Sequence, residues 1–111
     1  MKLVTTVIRP EMFAAVQKAL DRLHIIQLTL SDAWGQGYGG GETFIYRSVT
    51  FKETRVKMLK LEVAVDDETA EAAVEAIMAS AWTGRMGEGI VLVQPLDAFN
   101  RISAAVAQET N

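Results

Sequence analysis

The sequence contains no cysteine. That removes disulfides, thiolate metal sites and thiol nucleophiles together. It has a single histidine, His24. Without a second histidine or a thiol, His24 lacks the partners a transition metal needs, and its place near a predicted helix end suits a side chain that can carry positive charge. A basic surplus is also missing. Eleven lysines and arginines stand against 14 aspartates and glutamates, giving a net charge of −3 and an isoelectric point near 5.1. Nucleic-acid binding is therefore not expected, because phosphate neutralisation calls for clustered cations. No apolar run reaches the roughly 18–20 residues of a membrane span. The N-terminal apolar stretch is too short for a signal peptide and lacks a small-residue cleavage site. A cytoplasmic protein with no direct membrane insertion is the expectation, and neither low-complexity tracts nor solenoid-length repeats are present.

What the chain does have is core-forming material. Half of its 111 residues are hydrophobic, enough for one packed domain over residues 1–111. Residues 2–9 are rich in β-branched side chains and read as a strand. Pro10 ends it and suits a first helical turn. Phe13, Val16, Leu20 and Leu23 then fall at helical spacing. A second strand is predicted over about 25–33. Residues 35–41 hold five glycines in seven positions, too many to order cheaply, so 35–54 reads as a long loop with strand-like arms around Phe44-Ile45-Tyr46. Alternation over 56–65 predicts a third strand, with Leu59, Leu61, Val63 and Val65 on one face and Met58, Lys60, Glu62 and Ala64 on the other.

Asp66-Asp67-Glu68 supplies capping oxygens and negative charge to a second helix running to about residue 81, with an apolar stripe of Ala70, Val74, Ile77, Met78 and Ala81. Thr83-Gly84-Arg85-Met86-Gly87-Glu88-Gly89 is a second glycine-rich loop, followed by a strand at Ile90-Val91-Leu92-Val93 that Pro95 stops. The order is βαββαβ, a ferredoxin-like α+β sandwich with a long loop between strands two and three. The last strand is apolar on both faces, so both sheet faces should be buried, and self-association is the simplest cover. From Asp97 onward the chain fits helix, a fifth strand or a frayed end.

The 83–89 loop fits either of two structures: a concavity of backbone N–H groups that holds an anion, or an ordinary helix-to-strand turn. No Gly-Lys-Ser/Thr follows, so it is not a Walker sequence. Trp34 and Trp82 stand beside the two glycine-rich stretches, where core or interface anchoring is the first expectation and a ligand-facing Trp34 the second. Ser31, Asp32 and Ser48 have no histidine partner in view, which leaves nucleophilic catalysis without a base.

In combination and in order, these segments resemble the PII nitrogen-regulatory signal transduction family over residues 1 to about 102. The similar pieces are Met1 to Pro10, Gly35-Gln36-Gly37, Glu42-Thr43 with Tyr46-Arg47, Lys60-Leu61-Glu62, Thr83 to Gly89, Val93-Gln94-Pro95-Leu96 and Arg101-Ile102. The resemblance implies a homotrimer with a T-loop at 36–54, a B-loop at 82–90 and a C-terminal segment at 97–111. It implies a signalling protein of nitrogen regulation rather than an enzyme. ADP, AMP or ATP would be its ligand, with no resident cofactor or metal. The T-loop would regulate a membrane transporter or a metabolic enzyme.

Carried over position by position, the nucleotide would meet Gly35, Gly37 and Tyr38 at the T-loop base, Glu62, the B-loop residues Thr83, Gly84, Arg85, Gly87, Glu88 and Gly89, and Arg101 of a neighbouring subunit. Tyr46, Arg47 and Phe51 would face the partner. Departures from the family pattern are specific. Its magnesium- and 2-oxoglutarate-holding glutamine falls at Gly39, flanking cations at Tyr38 and Gly40, the oxoacid-pairing lysine at Met58, the lysine closing the B-loop at Ile90, and a second C-terminal arginine at Ser103. The tyrosine that is modified in many bacterial members falls at Phe51, which has no hydroxyl. Losing the contacts at Ile90 and Ser103 removes about 3–6 kcal/mol of charge-assisted hydrogen bonding, most of it from the terminal phosphate of ATP. The expectation is nucleotide binding shifted toward ADP or AMP, without 2-oxoglutarate sensing or tyrosine uridylylation.

An alternative is a PII-like trimeric module for another small ligand such as bicarbonate, a metal ion or a cyclic nucleotide. A small trimeric enzyme would require Glu42, Glu62 or Glu88 to converge with His24. An RNA-binding sheet would require stacked aromatics that the strands lack.

Overall fold

The computed structural model describes residues 1–38, 43–52, 54–84 and 89–102, with the backbone alone at 44, 51 and 52. The elements in chain order are β1 (Lys2–Ile8), a 3-10 turn (Pro10–Met12) leading into α1 (Phe13–Asp21), β2 (Thr29–Gln36), β3 (Thr43–Tyr46), β4 (Val49–Lys52), β5 (Arg55–Val65), α2 (Asp67–Ala81) and β6 (Gly89–Pro95). With the β3–β4 hairpin set aside, the remaining order is βαββαβ. The main sheet runs β2-β5-β1-β6 with every neighbour antiparallel, which is the ferredoxin-like arrangement.

One face of this sheet meets both helices. Val4 and Ile8 of β1, Leu61 and Val65 of β5, Val16 and Leu20 of α1, and Ala70, Ala73 and Ile77 of α2 form its buried core, with Phe13, Leu23, Leu59 and Val63 packed against them. The α1 stripe and the inward face of β5 follow the sequence spacing. The α2 stripe differs, with Val74 only half-buried. Ala73 is buried in its centre, whereas Met78 turns outward at 62% exposure. A stripe through 70, 73 and 77 keeps the i, i+3, i+4 rows in line, and Met78 falls beside it. Thr6 is the one polar residue among the buried ones described, and its hydroxyl donates to the Ile90 carbonyl at 2.8 Å.

The register puts Leu3, Thr5 and Val7 of β1 on the other face, beside Ile90 and Leu92 of β6 and Glu62 and Ala64 of β5. No helix of the described residues covers this face. Ile90 and Leu92 are 43% and 55% exposed.

Several boundaries depart from the sequence reading. The second strand begins at Thr29, four residues later than predicted, and continues to Gln36. The cause lies at the end of α1. His24 has φ 61°, its N–H bonds the Asp21 carbonyl at 2.9 Å, and the Ile25 N–H bonds the Leu20 carbonyl at 3.0 Å. This is a Schellman closure with histidine where glycine is usual. It ties Ile25 to the helix end, and the chain reaches the sheet only at Thr29, opposite Glu62.

The predicted long loop contains a regular hairpin, β3 pairing β4 through the two-residue turn Arg47-Ser48. Both turn residues have positive φ, 51° and 64°, the combination that matches strand twist in a two-residue hairpin. Pro95 lies inside β6 rather than after it, opposite Lys2. Because the Leu96 N–H bonds the Met1 carbonyl at 3.1 Å, the ring nitrogen of Pro95 faces the outer edge, where no donor is needed. Trp34 and Trp82 are 68% and 72% exposed, so neither is a core anchor of the protomer.

The α2 N-terminus is built as its acidic run predicts. The Asp66 carboxylate accepts from the Thr69 N–H at 2.8 Å, and Asp67 pairs with the N-terminal ammonium at 2.9 Å. The hydrogen bond from Thr69 holds the Asp66 carboxyl below the usual carboxylate range, and the ammonium does the same to Asp67. A depressed carboxylate stabilises the fold above its unfolded-state pKa and loses that contribution as pH falls through the folded value. The wild type should therefore lose stability progressively below about pH 4. Asp66→Asn keeps a capping oxygen but should flatten that acid limb in thermal melts taken across pH. His24→Gly should raise urea-unfolding stability by about 1 kcal/mol, because it removes the left-handed strain at the end of α1.

Candidate functional site

The chain's functional candidates gather where β1 and β2 end and β5 and β6 begin. Ile8, the last residue of β1, pairs with Leu59 on one side and Gly89 on the other, and Gly35 pairs with Val56 one strand further out. Arg9 follows directly and donates from Nη2 to the Tyr38 carbonyl at 2.7 Å. The base of the hairpin segment is thereby tied to the end of β1, beside the start of β6.

Two glycines at this end are required by close approach. A Cβ on Gly89 would lie 2.1 Å from the Val7 carbonyl oxygen, a backbone atom that cannot swing aside. A Cβ on Gly35 would lie 2.5 Å from Tyr38 Cδ2 and 3.0 Å from Met58 Cγ. The Tyr38 ring is therefore folded over Gly35 and Met58, and Met58 is fully buried. Gly37 and Gly84 have left-handed φ, 89° and 86°, at the two turns. Thr83 is half-buried between the exposed Trp82 and Gly84. On the helix side of the sheet, a pocket of about 400 Å³ opens between α2 and β6, with Ile8, Ile77, Met78, Trp82 and Ile90 in its walls.

Glu62 and Arg101 are elsewhere. Glu62 accepts a hydrogen bond from Thr5 Oγ1 at 3.2 Å and lies 3.9 Å from Lys60 Nζ. Arg101 donates to Gln27 Oε1 and stands over the Phe99 ring at 5.2 Å. Both line a pocket of about 660 Å³ with Leu3, Gln27, Thr29 and Phe99. Thr29 pairs with Glu62, whereas Gly35 pairs with Val56. These six residues of β5 place the two groups roughly 20 Å apart along the strand. The structure thus brings Gly35, Gly37, Tyr38, Gly84 and Gly89 to one end of the sheet, with Thr83 beside them. It collects Glu62 and Arg101 at another. Arg85, Gly87, Glu88, Gly39, Gly40 and Ser103 lie outside the described residues.

Of the partner-facing candidates, Tyr46 and Arg47 sit at the hairpin tip with Arg47 Cζ 5.3 Å from the Tyr46 ring centroid. Phe51 belongs to β4, opposite Phe44 in the register. Sequence reading missed Arg9. Its only signal is position, directly after a strand and before Pro10, and the carbonyl it holds is 29 residues away. The convergence that would favour an enzyme does not form among the described residues. His24 closes α1, Glu62 sits on the open face of β5, and Glu42 and Glu88 are not among them. No group of three or more histidine or acidic side chains able to hold a metal occurs among the described residues. No helix among them is long and apolar enough to cross a membrane.

The chain is similar to known proteins over almost its whole length. The family model for nitrogen regulatory protein P-II matches residues 1–105. A nitrogen regulatory protein P-II of Rhizobium etli is 39% identical over 102 residues, covering 92% of this chain and 91% of its own. One from Azospirillum brasilense is 34% identical with the same coverage. The nitrogen regulatory protein GlnK1 of Methanosarcina mazei is 36% identical over 104 residues, covering 92% of this chain and 89% of its own. The chain therefore belongs to the P-II family of nitrogen regulatory signalling proteins.

The Tyr38–Gly35 contact can be tested by a double-mutant cycle. Gly35→Ala should cost about 1–3 kcal/mol in urea unfolding, and less than half of that in a Tyr38→Ala background where the ring is gone. Equal costs in both backgrounds would show that the ring does not cover Gly35. Gly89→Ala should cost at least as much as Gly35→Ala in either background.

Proposed function

We propose that the protein is a trimeric P-II regulator that binds an adenine nucleotide in clefts between subunits and controls a membrane transporter or metabolic enzyme through the T-loop of residues 36–54. The observation that carries this reading is the division of the candidate residues into two half-sites. The glycine-lined end of the sheet and the Glu62–Arg101 pocket lie at different places on one protomer, so a second copy would complete the site. The uncovered sheet face supports the same assembly. Leu3, Val7, Ile90 and Leu92 form an apolar surface around the Thr5–Glu62 hydrogen bond, and burying it against equivalent faces about a threefold axis would give it the cover that no helix supplies.

The local chemistry favours a nucleotide of low charge. Ile90 presents an apolar side chain where the B-loop of relatives is expected to close with lysine. Met58, apolar and buried beside Gly35 and Tyr38, stands where the oxoacid-pairing lysine of relatives is expected. Without that lysine a dicarboxylate loses its expected partner, so 2-oxoglutarate sensing is lost in this reading. ADP or AMP fits better than ATP. The same loss of cations favours, as a second reading, a ligand of still lower charge such as a cyclic nucleotide. Phe51 has no hydroxyl, so uridylylation at that position is closed. A cytoplasmic location accords with such a role.

Titration calorimetry with AMP, ADP and ATP should show binding to ADP or AMP at least as tight as to ATP, with no further heat from 2-oxoglutarate in the presence of Mg-ATP. Ile90→Lys should strengthen ATP binding about tenfold or more, the value of one charge-assisted hydrogen bond. Light scattering should return about three times the 12.2 kDa protomer mass. A monomer that binds none of the three nucleotides would overturn the proposal.

A further inference from the structure

The root of the hairpin carries a cationic aromatic surface that the nucleotide reading does not use. Trp34 of β2 lies directly across from Lys57 of β5, and Gln36 across from Arg55. These four residues share one face of the ribbon and all are exposed, Trp34 at 68%. Arg55 Cζ stands 5.8 Å from the Trp34 ring centroid. The core under the helices reaches only to Ile8 and Leu59, so this stretch of β2 and β5 runs past the helix layer.

Charge is distributed unevenly along the chain. Residues 43–60 hold five of its 11 basic side chains, Arg47, Lys52, Arg55, Lys57 and Lys60, against a single acid, Glu53. The rest of the chain carries the whole acidic excess. A protein of net charge −3 thus concentrates its positive charge in the hairpin and its root. Tryptophan and arginine, in contact with each other and open to solvent, are the side chains most often found to dominate protein–protein binding energy.

We propose that Trp34, Arg55 and Lys57 form a second docking anchor, which takes an acidic segment of the regulated protein with an apolar side chain laid on the Trp34 ring. The inference rests on the reading that the hairpin docks a partner, and it supplies that partner's chemistry. Carboxylates pair with the two cations, and the indole face buries the apolar group between them. A lipid surface fits less well. Arg47 occupies the hairpin turn and would be the first group pushed toward hydrocarbon, which charged side chains enter only at high cost. Nucleic acid fits less well too, since a chain of net charge −3 gains little from phosphate neutralisation.

The test uses the full chain carrying Trp82→Phe, which leaves Trp34 as the sole tryptophan. A short glutamate- and leucine-rich peptide should shift Trp34 emission saturably. Binding should weaken about tenfold or more in Arg55→Glu/Lys57→Glu, and also as salt is raised past physiological strength. ADP calorimetry and thermal melts run on the same variants separate the two proposals. Peptide binding lost while the melt and ADP binding are kept supports the anchor. Absence of ADP binding in the chain without substitutions removes the nucleotide reading and leaves the peptide result standing. The anchor is overturned if charge reversal leaves peptide affinity unchanged. It is overturned equally if the lysine-for-glutamate peptide, single-stranded DNA or phosphatidylserine-containing vesicles bind as tightly as the acidic peptide.

Discussion

The fit of β6 against β1 at Gly89 governs the geometry of the whole functional end. β1 is central in the sheet and bonded on both sides, so its last residues are among the most constrained in the molecule. Gly89 presses against the Val7 carbonyl with no room for a side chain. That contact sets where the second glycine loop ends. One residue beyond Ile8, Arg9 holds the Tyr38 carbonyl and so fixes where the first loop begins. Two loops distant in sequence are referred to the same end of one strand, one through Val7 and the other through Arg9 just beyond it. A shift in β1 would therefore move both together, and neither loop needs direct contact with the other to keep its position.

The secondary structure was largely legible because its signals are local. The helical spacing of Val16 and Leu20, the alternation along Leu59 to Val65, and the capping oxygen of Asp66 each act within a few residues. The errors arose where a long-range or backbone-specific contact decides. Nothing in the side chains of residues 25–28 announces that Ile25 is tied back to Leu20. The late start of β2 follows from a left-handed histidine that spacing does not reveal. The glycine run drew attention to flexibility, while the residues that build the hairpin, Thr43 to Lys52, contain no glycine and pair regularly. Met78 sits at a position compatible with the helical stripe, and only the location of β6 leaves it outside.

The candidate site was legible in its parts and not in its assembly. Both glycine loops could be read from composition, and family likeness gave each residue a role. That Glu62 and Arg101 would share a pocket remote from Gly35 depends on the strand order, which brings β5 against both β1 and β2. The burial of Met58 was equally hidden. On the strand pattern it shares a face with Lys60 and Glu62, and it lies against Gly35 together with the ring of Tyr38, 20 residues earlier.

The turn at Arg47-Ser48 has a bearing on how tightly this family member can hold whatever it regulates. Two residues with side chains occupy left-handed backbone there, each at roughly 1–2 kcal/mol relative to ordinary conformations. A two-stranded ribbon is marginal on its own, so this strain subtracts from every complex that needs the ribbon formed. In the proposed docking, affinity for a target would therefore drift upward or downward through changes at the bend alone, with the recognition surface untouched. Selection acting on a regulator that must release as readily as it binds would find that an economical place to act.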